Sequence, residues 1–302
     1  MYIPGMGSLL AIKAPVKECE IDNMRFSIID YPALLYLESM FPLLFALGPV
    51  KLYTSTVFLL IAVFVGLYIF WKKGKEEHYL EDELVDAFII SVFWGIVASR
   101  VSFIVLHFDA FGLFPLRWLD VFTHSGFTPI FGMFASASSL YRFAQKQKWD
   151  EFELLDFGAL ALSMMMAILW LGNFFAGAEL GSPTNLPFGV TFPNVFDRRH
   201  PLQLYGTLLY LLLFAYLSWV ESRYRMFSWY RARKDSAQTG FLYAMFCISS
   251  GVFGILLWLL SSTRVFIFGV PLDLVLRGGL ILYGLVVLLQ RSGRSLNFRR
   301  KK

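Results

Sequence analysis

Seven stretches of mostly apolar residues divide this chain, each about long enough to carry a helix across roughly 30 Å of hydrocarbon, and they constrain its fold more than any other feature. They run approximately over residues 52–71, 87–106, 127–143, 154–175, 202–220, 241–260 and 268–290. Ser136, Ser138 and Ser139 interrupt the third, but small and hydroxyl residues suit a helix packed inside a bundle. A soluble fold fails on composition: 57% of the residues are hydrophobic and 16% charged, more apolar side chain than one core hides. Lipid must cover the excess. The sequence therefore predicts an all-α integral membrane protein with about seven transmembrane helices in one bundle. Residues 31–47 are also apolar, but Pro32, Pro42, Gly48 and Pro49 punctuate them, so they read as an interfacial arm.

Lys and Arg are distributed unevenly between the loops, which sets an expected orientation. Lys72, Lys73 and Lys75 follow the first span; Arg142, Lys146 and Lys148 the third; Arg223, Arg225, Arg231, Arg233 and Lys234 the fifth; and Arg291, Arg294, Arg299, Arg300, Lys301 and Lys302 the seventh. The opposite loops hold only Arg117, Arg198, Arg199 and Arg264. The basic side is expected in the cytoplasm, with the N-terminus and the segment 176–199 outside. On this reading residues 1–46 are an extension with an interfacial arm, 47–290 the membrane domain and 291–302 a basic cytoplasmic tail. Because the net charge of +5 falls into clusters between apolar runs, it speaks for topology and against nucleic-acid binding. Cys19 in the arm and Cys247 inside an apolar run sit at depths that argue against a mutual bridge, and neither a disulfide nor a metal framework is implied. Residues 1–19 lack the basic start, continuous apolar stretch and small-residue cleavage site of a signal peptide, so insertion through the spans is expected.

Ionisable groups inside spans are costly and mark places to look for function, which singles out Arg100 and Arg277. Arg100 either faces a ligand or bonds helix-end carbonyls and snorkels. Arg277 stands four residues after Asp273, so a pair on one helix face competes with an external anion. The segment after the fourth span gathers Asn173, Glu179, Gly181, Arg199, His200 and Gln203 among glycines at the membrane surface, where a phospholipid headgroup lies. A loop that only satisfies its own backbone explains the same residues equally well. His124 reads as a solvated loop histidine or as a replacement base.

Several motifs recur in one order: Leu47-Gly48-Pro49-Val50, Arg100, Leu171-Gly172-Asn173 with Gly177 and Glu179, Pro187-Phe188-Gly189-Val190-Thr191-Phe192-Pro193, and Arg199-His200-Pro201-Leu202-Gln203-Leu204-Tyr205. In order and spacing they resemble the bacterial prolipoprotein diacylglyceryl transferase family. That resemblance implies a multi-pass protein of the bacterial cytoplasmic (inner) membrane. It implies transfer of a diacylglyceryl group from phosphatidylglycerol to a lipobox cysteine of a preprolipoprotein signal peptide, without metal or cofactor. The thiol must lose its proton and the departing phosphate must be stabilised. In the family these tasks resemble work for a helix-one Tyr, a His in a Ser-Phe-His-Gly-Gly run, an Arg before Leu-Gly-Asn and an Arg in helix six. Here those positions hold Ser55, Ile130, Trp170 and Gly254. Two readings stay open: transfer with rearranged residues, or a non-catalytic paralogue that binds phospholipid or scaffolds. A transporter is less well supported, because no internal repeat stands out. The candidate substrate-binding set is Arg100, Asn173, Glu179, Gly181, Arg199, His200, Gln203 and Arg277.

Overall fold

The computed structural model describes residues 43–47, 50–113, 117–118, 126–192, 195, 197–230, 238–262, 266–267 and 269–291. His124, Arg264, the first 42 residues and the basic tail beyond Arg291 lie outside them. Seven long helices are present among the described residues: α1 Thr54–Glu76, α2 Glu81–Leu106, α3 Pro129–Gln147, α4 Glu151–Ala176, α5 Leu202–Tyr230, α6 Phe241–Leu259 and α7 Leu272–Arg291. All but α3 are long and apolar enough to cross a membrane, so this is a multi-pass membrane protein. α3 falls short because its serines and its Arg142, Gln145 and Lys146 end dilute the apolar content. It packs closely on α2 instead. A methyl group at Gly132 would fall 2.9 Å from the carbonyl of Gly95, so the two backbones meet through glycine.

The helix ends depart from the sequence expectation for local reasons. Leu52 and Tyr53 do not open α1; Val50–Tyr53 forms strand β2, which pairs antiparallel with β1 at Leu43–Leu47, so the last residues of the expected interfacial arm are one side of a hairpin. Beyond the apolar runs the helices continue through polar residues: α1 takes in Lys72 to Glu76 and α2 starts at Glu81, where three acidic residues suit a helix N-terminus.

α4 lies at the centre. In its most apolar window 61% of residues are buried, against 17% for α7. It packs against α1, α3, α5 and α6, whereas α7 leans chiefly on α6. The core includes Phe70, Leu84, Phe157, Leu160, Leu217 and Phe246. At the end where α4 begins, polar groups tie the helices together. Asp150 caps α4 by accepting from the N–H of Phe152 at 2.9 Å. The buried Asp156 accepts from the N–H groups of Gly240 and Tyr243, both at 2.8 Å, across the start of α6. Arg291 donates to the Thr239 carbonyl at 2.6 Å and lies over the Phe152 ring. The opposite end carries the segment 177–201, and there the helices are joined by backbone pairing.

Candidate functional site

Two departures from helical geometry, two residues apart, build this end. Gly177 ends α4 in the left-handed region at φ 69°, its N–H turned back to the last carbonyls of α4. Glu179 follows with φ 56°, which a residue with a Cβ adopts at a cost. Gln203, fully buried near the start of α5, holds this turn by donating from Nε2 to the carbonyl of Ala178 and, at 3.1 Å, to that of Glu179.

The chain then runs as a bridge between two neighbours. Ser182 N–H donates to the Leu260 carbonyl at 2.8 Å, while the N–H groups of His200 and Thr184 donate to the carbonyls of Ser182 at 3.1 Å and Arg198 at 2.8 Å. Residues 180–184 thus lie between 198–200 and 260–262, linking the ends of α4, α5 and α6. Gly181 is required by close approach: a methyl group there would fall 2.8 Å from Cβ of His200 and 3.1 Å from its carbonyl carbon. Arg199 Nη1 donates to the Gly181 carbonyl at 3.1 Å, and the His200 Nδ1 and Tyr205 hydroxyl lie 3.4 Å apart. Strands β3 (Val190–Thr191) and β4 (Arg198–Arg199) close the loop, and Val190 and Phe192 bury against Phe174 at the end of α4.

Several polar side chains here are engaged in holding the loop. Asn173, Glu179 and Arg277 are among those that are not. The Asn173 side chain makes no hydrogen bond among the described residues, although its backbone carbonyl accepts from Ala178 at 3.0 Å. The Glu179 side chain also has no hydrogen bond or ion pair there. It keeps solvent-exposed surface although protein packs around much of it. That enclosure pushes its carboxyl above the usual range; Arg277 pulls it down and Asp273 pushes it further up.

Arg277 stands one and a half turns into α7 and reaches across to α6. Its side chain fills the space over Gly254, where an added methyl group would come within 2.8 Å of Cδ and 2.9 Å of Cζ. Its Nε is buried without a hydrogen-bond partner among the described residues, and no ion pair joins it to Asp273. Tyr210 of α5, buried and absent from the sequence-based set, lies within electrostatic reach of the same guanidinium. Nothing in the α5 pattern marks Tyr210, since an aromatic residue in an apolar run reads as core.

Arg100 is engaged differently. It is buried, donates from Nε to the Trp118 carbonyl at 3.1 Å and from Nη1 to the Gly126 carbonyl at 3.0 Å, and sits among the rings of Phe103, Phe111 and Phe127. Of the positions at which the resemblance implies a departure, Ser55 is exposed on α1 and Ile130 is buried in α3. The Trp170 indole covers Gly206 of α5, its Cε2 2.8 Å from where a methyl group would stand.

Residues 42–289 match the model of the prolipoprotein diacylglyceryl transferase family, most of the chain. The chain belongs to that family. Relatives named phosphatidylglycerol–prolipoprotein diacylglyceryl transferase include those of Clostridium tetani, 27% identical over 63% of this chain and 80% of the relative, and of Legionella pneumophila, 29% identical over 59% and 72%. A Thermoanaerobacter relative of the same name is 25% identical over 63% of this chain and 70% of its own. The matched span takes in every long helix but the last two residues of α7, together with the whole loop-bearing end.

Proposed function

We propose that this protein binds phosphatidylglycerol at the loop-bearing end of the bundle and transfers its diacylglyceryl group to the cysteine thiol of a preprolipoprotein signal peptide. The setting is the bacterial cytoplasmic membrane, with the loop-bearing end outside and the basic ends of α1, α3, α5 and α7 in the cytoplasm. The observation that carries the proposal is Arg277, a guanidinium inside a span whose Nε is buried without a partner. A charge at this depth is retained when it meets a counter-charge, and the headgroup phosphate of an anionic lipid supplies one with geometry suited to paired N–H donors. The same cation then stabilises the phosphate as it departs. Asn173 and Tyr210 would bond the headgroup, and Gly181, Arg199, His200 and Gln203 would shape the loop around it. Arg100 fixes the segment after α2 through its carbonyl bonds.

A second reading, a phospholipid-binding paralogue without transfer, is favoured by Ile130 and Trp170, which supply neither base nor cation. Purified protein supplied with phosphatidylglycerol and a lipobox peptide separates the two. Thioether-linked diacylglyceryl peptide, detected by mass spectrometry and reduced at least tenfold by Arg277→Gln, supports transfer. Retention of phosphatidylglycerol with no product at any enzyme concentration establishes the second reading.

A further inference from the structure

The geometry points to Glu179 as the group that takes the proton from the acceptor thiol. This role rests on the transferase reading and adds to it the missing half of the chemistry. A thiol near its ordinary pKa of about 8.5 is only a few per cent thiolate at neutral pH, and the thiolate is the nucleophile. A base must therefore stand at the site. Ile130 cannot be that base. His200 donates its backbone N–H to Ser182 and has its Nδ1 3.4 Å from the Tyr205 hydroxyl. Among the described residues, Asp273 and Glu179 stand within electrostatic reach of Arg277, and Glu179 alone of the two sits on the loop that closes this end.

Three features set Glu179 apart. Its carboxylate bonds to no protein group among the described residues, so both oxygens are free to accept. Its backbone is held in the left-handed region by the Gly177 cap on one side and the two Gln203 bonds on the other, and a strained conformation fixed from both sides orients the side chain. The protein packed around it pushes its carboxyl above the usual range, with Arg277 opposing and Asp273 reinforcing that shift, and a raised carboxyl is the stronger base.

The step balances. The Glu179 carboxylate takes the thiol proton as the sulfur attacks the glyceryl carbon bound to phosphate oxygen. The C–S bond forms, the C–O bond breaks, and its electron pair leaves on glycerol phosphate, which becomes a dianion beside Arg277. The protonated Glu179 then returns its proton to that leaving group, restoring the carboxylate.

The test is the pH dependence of transfer by wild-type, Glu179→Gln and Glu179→Asp proteins, with phosphatidylglycerol retention measured in parallel by native mass spectrometry. The wild-type rate should fall with decreasing pH through a midpoint above the ordinary Glu value, because a protonated carboxyl accepts no proton. Glu179→Gln should lower kcat about a hundredfold at pH 7 and lose that midpoint, its rate rising tenfold per pH unit with the thiolate fraction. Glu179→Asp should recover part of the rate and the midpoint, and all three should retain the lipid equally. A Glu179→Gln protein with the wild-type rate and pH profile overturns the role of Glu179 and leaves the transferase reading standing. Loss of lipid retention in step with rate overturns it too, in favour of a binding role. An inactive wild-type protein overturns the transferase reading itself.

Discussion

Gly254 and Arg277 should behave as one unit, and the packing of α6 on α7 says why. A methyl group at Gly254 would stand 2.8 Å from Arg277 Cδ and 2.9 Å from Cζ, well inside the ~3.5–4.0 Å at which carbon atoms rest. The helices cannot separate cheaply to admit it. A methyl group at Gly251 would be 2.9 Å from the Arg277 carbonyl and one at Gly284 3.0 Å from that of Ala244, so the backbones already meet on both sides. Gly254→Ala must therefore displace the guanidinium. If that group holds the lipid phosphate, the loss is that of a hydrogen bond to a charged partner, about 1.5–3 kcal/mol, or roughly 10- to 150-fold weaker phosphatidylglycerol binding. Arg277→Gln should cost a similar amount, and the double variant little more than either single one, because both remove the same contact. Phosphatidylethanolamine, whose headgroup carries its own cation, should be affected less. Competition between the two lipids in native mass spectrometry reads all of these quantities, and unfolding temperatures separate binding from damage to the fold. Strict additivity of the two changes, or equal loss of both lipids, would refute the argument.

Two further outcomes follow from the architecture at the other end and from the charge pattern. Asp156→Ala strands the N–H groups of Gly240 and Tyr243 at the start of α6 and should destabilise the protein by about 2–5 kcal/mol, seen as a lower thermal midpoint in detergent; an unchanged midpoint would show that the junction is redundant. In a Cys19→Ser background, a cysteine at Ser182 should react with an impermeant thiol reagent in intact cells and one at Glu77 should not; the reverse pattern would place the loop-bearing end in the cytoplasm.

The helices were legible because lipid imposes a length and a composition that leave few alternatives, and even the serine-rich α3 was legible because small and hydroxyl residues suit a helix packed inside a bundle. Their ends were less so. Val50–Tyr53 is apolar enough to join α1, and only its pairing with Leu43–Leu47 shows that it belongs to a hairpin. In the loop, the glycines and polar residues marked a special place, since Gly177, Gly181 and Gln203 owe their identity to local backbone geometry. What sequence could not supply was the partner of Arg277. Asp273, one helical turn away, was the nearest candidate along the chain, yet no ion pair forms, and the side chain crosses to another helix instead.

That crossing would let a cation change helices without leaving its place, if relatives carry the helix-six arginine that the resemblance implies. An arginine at position 254 would project from α6 into the interface with α7; Arg277 projects from α7 onto α6 over a residue with no side chain. Electrostatic stabilisation depends on where the charge stands relative to the phosphate, and the helix that supplies it is immaterial. Exchanging the two, with Gly254→Arg and Arg277→Gly together, tests this directly. The guanidinium again fills one interface of fixed width, so phosphatidylglycerol retention should return to within about tenfold of wild type, while Arg277→Gly alone remains weak. Retention no better than in Arg277→Gly would mean that Arg277 serves through contacts particular to α7, and that Gly254 is small only to let the helices meet.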